Sequence, residues 1–68
     1  MQKWEYMIIV QAWNNIEQKF YWGDDMTDER NPTDRLNALG QEGWELVSTF
    51  SSGRPSEYYN FVLKRPVE

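Results

Sequence analysis

From Lys3 to Trp13 the chain alternates with period two, and both parities carry apolar residues. Trp4, Tyr6, Ile8, Val10 and Ala12 share one face of an extended strand, while Glu5, Met7, Ile9, Gln11 and Trp13 share the other. A strand apolar on both sides needs two covers, and a helix and a second subunit are the two candidates. Asn14-Asn15 signals a turn, because asparagine tolerates positive φ. A second strand is expected from Glu17 to Trp22, closing a hairpin with the first. Gly23 to Arg30, GDDMTDER, reads as a polar, mobile loop. Asn31-Pro32 then predicts a helix start: asparagine caps the free N–H groups, and proline suits the first helical position. Asp34 favours the positive end of the helix dipole. Leu36, Leu39, Gly40 and Gly43 lie at i, i+3, i+4 and i+7, a single helix face. Its two glycines predict close approach to a sheet, with Gly43 as the stop.

Two further strands follow. Trp44 to Phe50 alternates Trp44, Leu46, Ser48 and Phe50 against Glu45, Val47 and Thr49. Ser51 to Ser56 is a breaker-rich loop. Glu57 to Lys64 sets Tyr58, Asn60 and Val62 against Tyr59, Phe61 and Leu63, and Pro66 is expected to end the strand. The order β-β-α-β-β predicts an α+β fold: a four-stranded antiparallel sheet with one helix on one face, in a single domain over residues 1–68.

Composition changes this picture in one respect. A chain of 68 residues buries only about 60% of its unfolded surface, so its core is marginal. Small domains add disulfides, a metal or a partner subunit. Without cysteine there is no disulfide, and without cysteine or histidine most zinc ligand sets are missing. Oligomerisation is the device left, and the chain itself is the expected partner. The net charge of −4 argues against duplex nucleic acid, whose binding rests on neutralising phosphates. No run of about 20 apolar residues crosses a membrane, and Gln2 to Tyr6 lacks the apolar core of a signal peptide, so a cytoplasmic protein is expected.

The opening Lys3-Trp4-Glu5-Tyr6, the central stretch from Leu36-Asn37-Ala38-Leu39-Gly40 through Gly43-Trp44-Glu45-Leu46-Val47-Ser48, and the closing Phe61-Val62-Leu63-Lys64-Arg65-Pro66 together carry a resemblance. The chain resembles the small bacterial and phage proteins grouped as domain of unknown function 4177. That resemblance covers nearly the whole chain and implies an α+β fold in a small chain. It implies no activity and no catalytic residues. The aromatic middle, Glu17 to Arg30, departs from many members.

The candidate chemistry is binding chemistry. Serine–histidine and cysteine–histidine nucleophile systems are excluded by composition. Carboxylates alone could serve general acid–base work, but no pair falls on rigid elements facing one pocket. No catalytic residue, no metal ligand and no cofactor is therefore assigned. Asp24, Asp25, Asp28 and Glu29 lack the spacing of a calcium loop and read as a solvated acidic turn. Trp13, Tyr21 and Trp22 flank the first hairpin turn. They can pair across the hairpin or stack on a ring-bearing ligand. Ser52, Gly53 and Arg54 can present hydroxyls, backbone N–H groups and a guanidinium fork to phosphate, and Arg30 is a second cation for such a ligand. An ordinary surface loop is the plain alternative. Trp44 reads as a core anchor.

The expectation is a non-enzymatic, homo-oligomeric binding protein with a nucleotide-like ligand at a subunit interface. The family it resembles has phage members, and by analogy with small phage proteins that act as sponges, the concrete version is a sponge that sequesters a cyclic-nucleotide or ADP-ribose-derived immune signal. The alternative is a protein–protein interaction module that uses an exposed aromatic sheet face.

Overall fold

The computed structural model describes residues 1–53 and 57–67. The elements run β1 (Lys3–Asn14), β2 (Lys19–Trp22), α1 (Pro32–Gln41), β3 (Glu45–Ser52) and β4 (Tyr58–Val67). The four strands form one antiparallel sheet in the order β2-β1-β4-β3. The long β1 and β4 form its centre, paired from Lys3 opposite Val67 to Ala12 opposite Tyr58. The order β-β-α-β-β is therefore as the alternation predicts.

The first hairpin differs in its turn. Strand β2 begins at Lys19, not Glu17, and Asn14 pairs with Lys19. Asn14 acts through its side chain: Oδ1 accepts the N–H groups of Ile16 at 2.9 Å and Glu17 at 3.1 Å. The positive φ falls on Gln18, at 53°. An asparagine that caps a turn in this way need not adopt left-handed angles itself.

Helix α1 starts as its sequence demands. Asn31 is the N-cap, its side chain accepts from Asp34 N–H at 2.8 Å, and Pro32 stands in the first turn. The stop is built around Gly43, whose φ is +94°. Gly43 N–H donates to Gly40 O at 3.0 Å, and Leu39 O accepts from both Glu42 N–H at 2.9 Å and Trp44 N–H at 3.1 Å, so the last carbonyls of the helix are satisfied. Gly40 has a different reason. A Cβ there meets nothing within 4 Å, so the close approach expected of it is absent.

The core is small. Ile9, Trp22 and Leu63 form its buried centre, and Met7, Leu36, Leu39, Trp44 and Phe61 pack against them. Opposed residues of an antiparallel ladder share a face. The pairs Met7–Leu63, Ile9–Phe61 and Gln11–Trp22 therefore define one side of the sheet, on which Leu36 and Leu39 pack. The other side carries Tyr6, Ile8, Val10, Val62 and Asn60.

Strand β3 departs from simple alternation. A bulge between Leu46 and Ser48 places Leu46 opposite Leu63 on the packed side, yet Ser48 and Phe50 opposite Val62 and Asn60 on the other. An extra residue in one strand exchanges faces downstream of it. Trp44 precedes the strand and belongs to the helix stop. Strand β4 also runs past its expected end, with Pro66 paired to Trp4. Glu45, the first residue of β3, pairs with Lys64, so β4 has become an edge strand at Pro66, where proline is tolerated.

Candidate functional site

The packed side of the sheet continues beyond the core toward the β3–β4 connection. There Trp13 pairs with Phe20, Gln11 with Tyr59 and Ser51 with Tyr59, which puts these rings and hydroxyls on one face. Trp13 and Phe20 meet edge-on with ring centroids 4.9 Å apart, and Phe20 lies 5.9 Å from Tyr59. The result is a ladder of three aromatic rings across β2, β1 and β4. Next to it opens a groove of about 370 Å³, lined by Thr49, Phe50, Ser51, Tyr59 and Phe61. That is near the lower end of small-molecule sites. Its lining offers three ring systems and three hydroxyls, and among the described residues no charged side chain. Rings of this kind stack on flat ligands, and hydroxyls read polar edges.

Trp13 N–H donates to Glu57 O at 3.1 Å, tying the ladder to the start of β4. Asn60 secures the other margin. Its amide donates to Phe50 O at 3.3 Å and to Ser52 Oγ at 3.1 Å, fixing Ser52 beside Tyr58. Gly53 has φ +87°, and a Cβ there would stand 2.8 Å from the Tyr58 ring, so the turn out of β3 requires glycine. Of the residues singled out by sequence, the fold thus brings Trp13, Ser52 and Gly53 to the same end of the sheet. Arg54 lies outside the described residues.

The remaining three stand elsewhere. Trp22 is 1% exposed, and its indole N–H donates to Arg30 O at 2.8 Å. Its ring is core, packed 5.7 Å from Phe61. Tyr21 pairs with Ala12 and faces the opposite side from Trp13. Arg30 is engaged with Asp28 through both Nε and Nη2, the latter at 2.7 Å. Arg30 holds the Asp28 carboxyl at about 2, below its ordinary 3.8, by side-chain and backbone hydrogen bonds. Arg35 likewise lowers the Asp24 carboxyl by hydrogen bonding to it. The acidic loop is therefore closed on two arginines, and Asp28 N–H donates to Asp25 O at 3.1 Å within it. Among the described residues no group of three or more acidic, histidine or cysteine side chains is placed to hold a metal ion.

Phe20, Thr49, Tyr59 and Phe61 escape a reading by sequence. Each sits on a strand where packing explains it locally. The first hairpin sets Phe20 opposite Trp13, while the pairing of β1 with β4, nearly the whole chain apart, brings Tyr59 and Phe61 to the same side, and β3 carries Thr49 and Ser51 in beside them.

The model of the family described as domain of unknown function DUF4177 matches residues 4–66. The chain belongs to this family. No curated protein and no solved structure matches it. Membership spans both the core and the groove of this DUF4177 chain, since the matched residues include every strand and the helix. No helix among its described residues is long and apolar enough to cross a membrane.

Proposed function

We propose that this DUF4177 chain is a non-enzymatic, homo-oligomeric binding protein for a flat, ring-bearing, anionic ligand. The concrete reading is a phage-type sponge that sequesters a nucleotide immune signal, either a cyclic nucleotide or an ADP-ribose derivative, in the cytoplasm. The observation that carries it is the uncharged aromatic groove continued by the Trp13–Phe20–Tyr59 ladder. A base stacks on the rings and Thr49, Ser51 and Tyr59 meet its polar edge. Ser52, Gly53 and Arg54 serve the phosphate. Among the described residues the groove is lined by no acid, base or metal-binding set, and its rings and hydroxyls hold a ligand without transforming it. In this reading α1 covers one face of the sheet and a second copy reaches the groove at Phe50, which both lines the groove and pairs with Asn60 on the other side.

Titration calorimetry of the purified chain against a panel of cyclic nucleotides and ADP-ribose derivatives tests this. Binding with intact ligand recovered afterwards is expected, weakened in Tyr59→Ala. Absence of heat and of thermal stabilisation with every ligand overturns it.

A second reading is supported by a different observation. Trp4, Tyr6, Ile8 and Phe50 stand exposed on the side away from Leu36 and Leu39. Such a face suits a protein partner in an interaction module.

A further inference from the structure

An antiparallel sheet with one face in water normally alternates apolar inward and polar outward. Strand β1 does the reverse. Its packed side reads Glu5, Met7, Ile9, Gln11 and Trp13, whereas its other side reads Trp4, Tyr6, Ile8, Val10 and Ala12 without a polar break. The more apolar side is thus the one that Leu36 and Leu39 leave uncovered. Tyr6 is 66% exposed there and Ile8 57%.

The size of the molecule shows the same deficit. Its accessible surface is 5213 Å². A compact monomer of 8.2 kDa exposes about 4,500 Å². The radius of gyration is 13.2 Å, against about 11 Å for a compact chain of this length. The excess surface is of order 700 Å².

We propose that the sheet side carrying Trp4, Tyr6, Ile8, Phe50 and Val62 is the contact between two copies of this chain, packed sheet on sheet. The proposal takes the homo-oligomer of the preceding section and assigns it a surface. Charge placement favours a second copy. Each chain carries −4, yet the acids of residues 24–29 lie in the loop after β2, and Asp34 and Glu42 lie on and just after α1. On the sheet side in question the charges flank an uncharged centre of Ile8, Val62 and Phe50, with Lys64 opposite Tyr6. Glu45 pairs in register with Lys64 at one end, with the Lys64 ammonium 4.2 Å from the Trp4 ring centre, and Lys19 lies at the other. Two such faces meet with an uncharged centre and a polar rim, the arrangement of stable interfaces. The need for cover is also permanent. Among the described residues only Ile9, Ala12, Trp22 and Leu63 are buried apolar side chains, and a chain this short requires reinforcement whenever it is folded. A second copy is present wherever the first one is.

Sedimentation equilibrium of the ligand-free protein at micromolar concentration is the test. The expected mass is an even multiple of 8.2 kDa. Ile8→Glu and Ile8→Lys each raise the dimer Kd by at least about a hundredfold, because each buries an unpaired charge in an apolar contact. Hydroxyl-radical footprinting of the unmodified protein requires no variant to fold. It should show Tyr6 protected while Met26, 69% exposed in the loop after β2, is oxidised. A monomeric unmodified protein overturns the proposal and leaves the face to a foreign partner. So does a dimer in which Tyr6 reacts freely. Nucleotide binding plays no part in these readouts, so their failure is distinct from failure in calorimetry.

Discussion

The guanidinium of Arg35 lies 4.7 Å from the ring centre of Trp22, and both side chains are buried. This pair couples the helix to the sheet and to the acidic loop at once. Arg35 Nη1 donates to Asp24 at 2.9 Å, and its Nε stands 3.6 Å from Asp28 without a hydrogen bond. Truncating Arg35 uncovers Trp22 and unpairs Asp24, whose side chain is 46% exposed, while Asp28 keeps Arg30, so the cost is about 1–3 kcal/mol. A chain of this length has about 3–10 kcal/mol of stability in all. Arg35→Ala is therefore expected to lose a large share of it, and Arg35→Met, which keeps apolar cover over Trp22, to lose less. Urea unfolding followed by tryptophan fluorescence ranks the two, and equal losses would remove the packing role.

Acid should loosen the loop before it unfolds the sheet. The Asp28 carboxyl is held at about 2 against 3.8 when free. Its folded value lies below its unfolded one, so its stabilisation is complete above pH 4 and is lost as pH falls toward 2. Asp24 shifts in the same direction. Melting temperatures between pH 5 and pH 2 should fall steeply in the unmodified protein and less steeply in Asp28→Asn. Parallel curves would contradict the assignment.

Gly40 and Gly43 should respond in opposite directions to alanine. Gly40 sits in the last turn of α1 with open space around it, so Gly40→Ala is expected to stabilise by about 0.5–1 kcal/mol. Gly43 has φ +94°, so Gly43→Ala is expected to destabilise by about 1 kcal/mol or more. Denaturation midpoints with unchanged slopes decide the matter.

The ladder predicts a contrast between two aromatics of the first hairpin. Trp13→Ala should weaken a stacked ligand by about 1–3 kcal/mol, while Tyr21→Ala, on the opposite side of the sheet, should leave binding unchanged. Calorimetry on the pair tests the side of the sheet directly.

These residues also mark how far the sequence alone reaches. The helix was legible at both ends, because Asn31, Pro32 and Gly43 act within one turn of the backbone they terminate. The strands were legible from period two, but their faces were not. Trp22 and Trp13 have the same local surroundings, and one is core while the other is half-open. The difference is set by Leu63, Phe61 and Tyr59, some 40 residues downstream. Leu46 and Phe50 alternate as partners in sequence, and a bulge separates them. Nothing local to Arg35 announces that Trp22 folds beneath it.

Because β1 is apolar on both parities, hydrophobicity by itself does not forbid a one-residue slip along β4. Such a slip would exchange Ile8 for Ile9 and Tyr6 for Met7 with little loss of buried area. On the β1 flank the discrimination comes from Glu5, which stands opposite Arg65 and is ion-paired with it in the observed register. On the β3 flank it comes from Asn60, which is 8% exposed and donates its amide to Phe50 O and Ser52 Oγ. A one-residue shift of β3 along β4 turns Ser52 to the other side and leaves that buried amide short of an acceptor, at a cost of about 1–3 kcal/mol. Polar partners on each flank of β4 thus serve as the alignment keys of a sheet whose grease fits either way.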